Sequence, residues 1–344
     1  MRIMYLSTDM SRYSGAFYQQ DVMEALQRQH QVFFYGPGFP LYDSADGISD
    51  VISKSPFGEP DLICVGHAWL RDSPQADVDR HPKINLSRLS VPKVMIINKE
   101  YTNLDDKLDY IVDNKIDTVF THHHDIECYE KRTRTKFVSW PFAVDPDKFR
   151  DFGLDKAYDL VFTGLLRNPT IPEQQSDVRI RVQKRLFYSL GELRLLKRPK
   201  YRKYNFFWRA YPASNWAARV SLVIHNDERL PASQYSRLLN ASRVCFNALS
   251  PLDLVTTRYY ESMAAKCLCL CPRSPVYRGL FEDRRHCVMF ESDLSDFDEK
   301  LFYYLNHEDE RQAIVEEAYR HVRDNHTWGK RIEQFTAAVQ PLLR

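Results

Sequence analysis

No stretch of the chain approaches about eighteen consecutive apolar residues, the length that would suggest a membrane-spanning helix. Neither half opens with a complete Gly-x-Gly-x-x-Gly, which counts against an ordinary nicotinamide-dependent oxidoreductase. Cysteines paired at zinc-ligand spacing are missing as well. Cys267, Cys269 and Cys271 alternate in LCLCP, which puts them on one face of a strand, and the seven cysteines read as reduced thiols of a cytoplasmic protein. No charge of one sign dominates: 48 Lys and Arg against 46 Asp and Glu leave a net +2, so the chain as a whole is no polyanion binder. There is no internal repeat of fixed period and no low-complexity block. The opening MRIMYLSTDM has no long apolar core or small-residue cleavage site and reads as a first β-strand rather than a signal peptide.

What is present fits two hydrophobic cores. At 344 residues, 44% hydrophobic and 27% charged, the chain is too long for one ordinary core and too apolar for disorder. In the first half RIMYLST, QVFFYGP, DLICVGHAW, KVMIIN and DTVFTH are short runs rich in β-branched and aromatic residues. They alternate with helical or loop segments such as GAFYQQDVMEALQRQ, where Phe17, Met23 and Leu26 keep a helical period. The second half repeats the pattern with candidate strands YDLVFTGLL, VSLVIHN, VCFNAL, KCLCLC and HCVMF, and the tail from about residue 294 is helical almost throughout. This predicts an α/β protein of two Rossmann-like domains facing across a cleft. The expected divisions are one Rossmann-like domain over 1–143, a second over 144–325, and a C-terminal helix over 326–344 that packs back on the first domain.

The block PLDLVTTRYYESMAAKCLCLCP, residues 251–272, carries the most chemistry. A strand ends, a polar loop bears Asp253, Thr256 and Thr257, and a helix follows. Arg258 and Glu261 lie three apart on that helix, about 4.5 Å along its axis and on one face. Unpaired N–H groups at a helix N-terminus suit a diphosphate, with Arg258 adding charge and Glu261 accepting from ribose hydroxyls. A surface Arg–Glu pair with no ligand is the competing reading. In TDMSRYSGAF, Gly15 allows close backbone approach, and Asp9 or Arg12 is placed to face a ligand. His67 follows another strand and has the right pKa range for proton transfer, as well as the bland role of a satisfied structural histidine. Glu100 follows the next strand, two residues beyond Asn98. Asp9, His67 and Glu100 are the candidates for a catalytic base, and the sequence does not order them. His122, His123 and His124 are successive, so a regular backbone cannot aim all three at one metal; no metal is expected in the chemistry.

Taken together these segments resemble the GT-B-fold glycosyltransferases, specifically the retaining group 1 type and its branch similar to the spore-maturation (CgeB-like) proteins. Asp253 and Glu261 have the family's acidic-to-Glu spacing, and ESMAAKCLCL stands where the family has Glu-Ala-Met-Ala-Cys-Gly and a strand. YDLVFTGLLRN (158–168), WPFAVDPDKF (140–149) and HTWGKRIEQF (326–335) resemble further family segments in the same order. The resemblance implies that Glu261 binds ribose, Asp253 the donor sugar, and Thr256 and Thr257 the diphosphate, with Ser14–Gly15 near the donor phosphates. Asp253 replaces the usual Glu, Lys266 stands where the family has Gly, and Asn98 stands where it often has His. The implied reaction moves a sugar from a nucleotide-diphosphate sugar, UDP- or GDP-linked, to a glycan, lipid-linked or small-molecule hydroxyl, with no separate cofactor. Charge on the leaving diphosphate then falls to backbone N–H groups and to Arg258, Arg167 and one of Lys184 or Arg185.

One local excess breaks the charge balance. Residues 179–209 hold eleven Lys or Arg and a single acid, Glu192, mixed with aromatics. A solvated helix face, peripheral contact with an anionic membrane, and recognition of an anionic acceptor all fit. Nucleic acid is disfavoured, since no recognition signature accompanies the charge. Outside the transferase reading stand a nucleotide-sugar epimerase of similar plan and a non-catalytic nucleotide, glycan or polyanion binding module.

Overall fold

The computed structural model describes residues 1–11, 17–67, 69, 84–98, 100, 102–167, 178–212, 215–225 and 230–343. The chain divides into two compact units, residues 1–142 with 328–344, and residues 143–327.

The first unit contains β1 (Arg2–Leu6), α1 (Phe17–Gln29), β2 (Gln31–Tyr35), α2 (Ile48–Lys54), β3 (Leu62–Val65), β4 (Lys93–Ile97), α3 (Leu104–Asp113), β5 (Thr118–Thr121), α4 (Glu127–Thr133) and β6 (Lys136–Ser139). Its six strands pair in the order β2-β1-β3-β4-β5-β6, every pair parallel. Such a sheet is covered on both faces, so its strands are apolar throughout rather than alternating. β3 (LICV) and β4 (KVMII) are accordingly buried from end to end.

The second unit contains β7 (Tyr158–Leu165), α5 (Val178–Leu186), β8 (Phe187–Leu190), β9 (Leu193–Lys197), β10 (Phe206–Tyr211), α6 (Asn215–His225), α7 (Ala232–Asn240), β11 (Ser242–Phe246), α8 (Thr257–Ala264), β12 (Leu268–Pro272), β13 (Val288–Phe290), α9 (Phe297–Asn306) and α10 (Glu308–Asn325). Its five-stranded sheet runs β10-β7-β11-β12-β13, again parallel in every pair. In both sheets the first strand in sequence lies between the second and the third of that sheet. Strand order therefore reverses between β1 and β3 and again between β7 and β11, and each reversal opens a crevice at the carboxyl ends of the strands.

Two expectations are corrected here. The expected strand VSLVIHN is not one: its described residues, 220–225, are the C-terminal part of α6, and β10 takes the place beside β7. The basic stretch 179–209 is not one helix face. It is α5, a separate antiparallel hairpin of β8 and β9, a 3-10 turn at Pro199–Tyr201, and β10.

The last helix, α11 (Trp328–Val339), belongs to the first unit although the whole second unit separates it from β6 in sequence. The Trp140 indole donates to the Arg331 carbonyl at 2.9 Å, and the Arg331 guanidinium donates back to the Pro141 carbonyl at 2.6 Å. Ile332, Phe335 and Val339 are fully buried, and the Phe335 ring lies 4.9 Å from that of Phe120. Phe335→Ala should therefore destabilise the first unit by about 3–5 kcal/mol, the range for truncating a buried aromatic. Urea unfolding followed by tryptophan fluorescence measures this, and a loss below about 1 kcal/mol would mean that α11 is no part of that core.

Candidate functional site

In the second unit the carboxyl edge is built around α8. β11 ends at Phe246, and a loop leads to Pro251, Leu252 and Asp253 before the helix starts. Backbone bonds between Ser250 and Leu254 close that loop in both directions, which forces Leu252 and Asp253 into left-handed conformations with φ of 57° and 54°. Neither residue is glycine, so the loop carries strain of about 1–2 kcal/mol per residue. Thr256 is the extended residue before α8 and makes no side-chain cap, so the helix begins with open N–H groups.

Arg258 and Glu261 follow on this helix. Gly164, at the end of β7, shows why Arg258 lies where it does: with φ of 151°, a Cβ there would stand 2.2 Å from Arg258 Nη1. Only glycine leaves room for the guanidinium against the strand end. Glu261 is 2% exposed. It neighbours Tyr235, whose phenol is pushed well up by burial and then by the Glu261 charge, with Arg258 and a hydrogen bond to Thr163 pulling the other way. Arg258, Glu261, Tyr235 and Thr163 thus form one group at the carboxyl-end part of β7.

Arg179, which sequence reasoning did not single out, ties this edge together. Its guanidinium donates to the Leu165 carbonyl at 3.0 Å and to those of Ala248 and Leu249 at 3.2 and 2.9 Å, so it bridges the ends of β7 and β11 across the strand-order reversal. An arginine inside a basic run carried no signal of that role.

The other candidate cations fall elsewhere. Arg167 follows β7 but extends toward Glu192, 3.4 Å away. Lys184 and Arg185 lie at the far end of α5, about 8–9 Å along the helix axis from Arg179. Arg185 donates to Asp298 at 2.8 Å, where Lys200 and the Tyr201 hydroxyl also converge. The structure does not bring Lys184 and Arg185 to the group at α8. Lys266 sits at φ 52° just past α8, and two backbone bonds (Lys266 N–H to Met263 and Cys267 N–H to Ser262) close a Schellman turn that usually takes glycine. Its ammonium pairs with Glu316 at 2.7 Å and Asp151 at 3.3 Å, which offsets the strain.

The first unit has its own group at the strand-order reversal. Asp9, just beyond β1, is partly exposed; its Oδ1 accepts from the Ser11 N–H at 2.9 Å. Gly15 and Arg12, expected beside it, lie outside the described residues. His67 follows β3 and is 3% exposed, its Nε2 2.8 Å from His122 Nε2. His122 Nδ1 lies 2.7 Å from the Trp140 carbonyl, which only accepts, so that nitrogen carries the proton. Burial first, then His67, hold His122 well below the usual histidine range, so the ring is neutral near pH 7 and offers a lone pair at Nε2. His67 must then donate through Nε2.

Glu100 is enclosed rather than open. It is 1% exposed, with Thr121 donating to Oε1 and His123 Nε2 2.9 Å from Oε2. Burial would raise its carboxyl, but His123 and Thr121 outweigh burial and hold it below the usual carboxylate value. In this arrangement Glu100 fixes His123 and has no oxygen facing outward. His122 and His123, set aside as metal ligands in the sequence, are the residues that organise the group, and His124 points out exposed.

Comparisons with known proteins agree with this layout. Residues 185–337 match the sequence family described as glycosyl transferase-like. No curated protein matches the chain by sequence. Among solved structures, sucrose-phosphate synthase from Thermosynechococcus elongatus superposes with a TM-score of 0.65 at 10% identity over 99% of both chains. A glycosyltransferase from Rickettsia africae gives 0.62 at 12% identity, over 100% of this chain and 98% of that one. HepE of Anabaena, solved with UDP and glucose, gives 0.62 at 10% identity over 99% and 100%. The fold is therefore GT-B, with two Rossmann-like α/β units each carrying a parallel sheet.

Two measurements test the geometry. Gly164→Ala should displace Arg258 and strain the backbone at φ 151°, lowering the melting temperature with a cost of about 1–3 kcal/mol; an unchanged melt would contradict that backbone conformation. For His122, a folded-state pKa below the unfolded value near 6.5 means that stability is lost as pH falls from about 6.5. The Glu100 carboxylate adds a second loss below about pH 4, as pH drops through its lowered folded value. His122→Phe should flatten the first slope and Glu100→Gln the second in urea midpoints taken across pH 7 to 3. Slopes unchanged in both variants would contradict the assigned states.

Proposed function

We propose that the chain is a glycosyltransferase that takes its sugar from a nucleotide-diphosphate donor, UDP- or GDP-linked, held by the second unit at α8. The observation that carries this reading is the pairing of Arg258, cleared by Gly164 to lie at the strand end, with Glu261 buried one turn further along the same helix. In this reading the open N–H groups of α8, Thr256, Thr257 and Arg258 meet the diphosphate, where charge grows as the anomeric C–O bond breaks toward an oxocarbenium-like state. Glu261 accepts from the ribose hydroxyls, and Asp253, in its strained loop, addresses the donor sugar. Arg179 keeps the two strand ends in register so that these groups hold their aim. No metal is needed for that charge, and chelator should leave turnover unchanged.

The first unit would serve the acceptor. Asp9 is the more open carboxylate there, and His67, oriented through its Nε2 by His122, is the histidine proposed to handle a hydroxyl proton. A glycan, a lipid-linked saccharide or a small-molecule alcohol fits the role. The match to a glycosyl transferase-like family and the UDP and glucose held by the structural neighbour HepE support the donor class. The resemblance around Asp253 and Glu261 supports placement in the spore-maturation branch, and with Asn98 where the family often has His it leaves retention and inversion both open.

Saturation-transfer NMR against UDP, GDP, ADP and their sugar conjugates tests the donor reading. Selective binding of one nucleotide-sugar is expected, falling at least tenfold in Glu261→Gln, a near-isosteric change that leaves α8 packed. Folded protein that binds none of them would overturn the donor assignment and favour a binding module. Binding with conversion of the donor to an epimer and no transfer to any hydroxyl would favour an epimerase.

A further inference from the structure

Eight of the twelve large apolar or aromatic side chains that stand exposed among the described residues fall between 188 and 224. They belong to the β8–β9 hairpin and to α6, and these elements touch: His225 Nε2 meets the Arg194 carbonyl at 2.9 Å. The hairpin is no part of the five-stranded sheet, so its outer side has no neighbour in the sheet core. Leu190 is 61% exposed, Leu196 72%, Val223 86% and Ile224 60%, with Trp216 at the other end of α6 also open. A helix that buries Ala217 and Ser221 and turns valine, isoleucine and tryptophan outward has its apolar side away from its own core.

Beside this patch lies a groove of about 780 Å³ whose walls include Arg181, Lys184, Arg185, Arg198 and Lys200, against two carboxylates, Asp293 and Asp298. Tyr188 joins the two features. It lines the groove, carries the Arg198 guanidinium 4.6 Å above its ring, and stands two residues from Leu190 on β8, hence on the same face.

We propose that this face of the second unit docks on an anionic lipid bilayer, with the hairpin and α6 entering the interface and the groove cations meeting lipid phosphates. Charge decides between occupants. A second copy meeting this face about a twofold axis would set cations against cations. A nucleic acid would match the charge but leave aliphatic Leu190, Leu196, Val223 and Ile224 in water with no base to stack on. An anionic bilayer answers both halves of the surface at once, hydrocarbon for the aliphatic side chains and headgroup charge for the cations. The inference does not depend on the donor site at α8.

Vesicle co-sedimentation of the full chain tests it, using phosphatidylcholine vesicles with and without phosphatidylglycerol. Binding only to the phosphatidylglycerol vesicles, weakening as salt is raised, is expected. Leu196→Ser with Val223→Ser removes two exposed side chains without touching a core and should lower the partition coefficient by at least about tenfold. Lys184→Gln should weaken binding and reduce its salt dependence. Failure of the folded protein to bind the anionic vesicles at low salt would overturn the proposal, as would binding that the double serine variant leaves unchanged. A dimer in light scattering that the double variant dissociates would assign the patch to a second copy instead.

Discussion

Every strand pair in the two large sheets is parallel, and much of the rest follows from that constraint. Parallel strands cannot be joined by tight hairpins, so each connection crosses back over a face of the sheet and all carboxyl ends gather along one edge. Side chains far apart in sequence then meet without being near one another in any motif. Gly164 and Arg179 come from β7 and the connection after it, and Arg258 and Glu261 from the connection after β11; Asp9, His67, Glu100 and the His122–His123 pair come from four places in the first unit. Where strand order reverses, adjacent connections diverge to opposite faces and leave a gap. The chain lines both of its gaps with titratable groups.

Lining a gap with buried polar groups is costly unless each is answered, and the two units answer in different ways. The first uses a closed set of neutral or internally balanced partners: His67 with His122, His122 with a backbone carbonyl, Glu100 with His123 and Thr121. The second uses a cation that takes carbonyls. Arg179 satisfies three strand-end oxygens that would otherwise need water, and this ties together the chain leaving β7 and β11. Such contacts fix geometry and tautomer within each unit.

Most strands were legible because parallel-sheet strands are short, continuous and apolar, and RIMYL, LICV, KVMII and LCLCP are all of that kind. The α8 block was legible through its loop-then-helix pattern and the spacing of Arg258 and Glu261. VSLVIHN misled for a physical reason. α6 buries small residues, Ala217 and Ser221, and exposes large ones, so the hydrophobic pattern runs opposite to the packing and a β-branched run reads as a strand. The hairpin was hidden in the same region because positive charge masked its short alternation. Among the site residues, Arg179 and the His122–His123 pair were not legible. Their roles depend on which strands lie side by side, which the order of residues does not state.

The left-handed residues show where the fold accepts cost. Lys266 takes a glycine's conformation at the end of α8 and recovers the expense through Glu316 and Asp151, so its strain is balanced locally and serves packing. Leu252 and Asp253 take the same conformation at the other end of the connection, both exposed, with only the Ser250–Leu254 backbone bonds to hold them. Strain repaid on the spot belongs to the architecture. Strain held by two backbone bonds on an exposed loop, immediately before open helix N–H groups, resists the relaxation that selection for stability alone would favour. That contrast assigns α8's C-terminal turn to the fold, and it supports the ligand role proposed for the loop at Asp253.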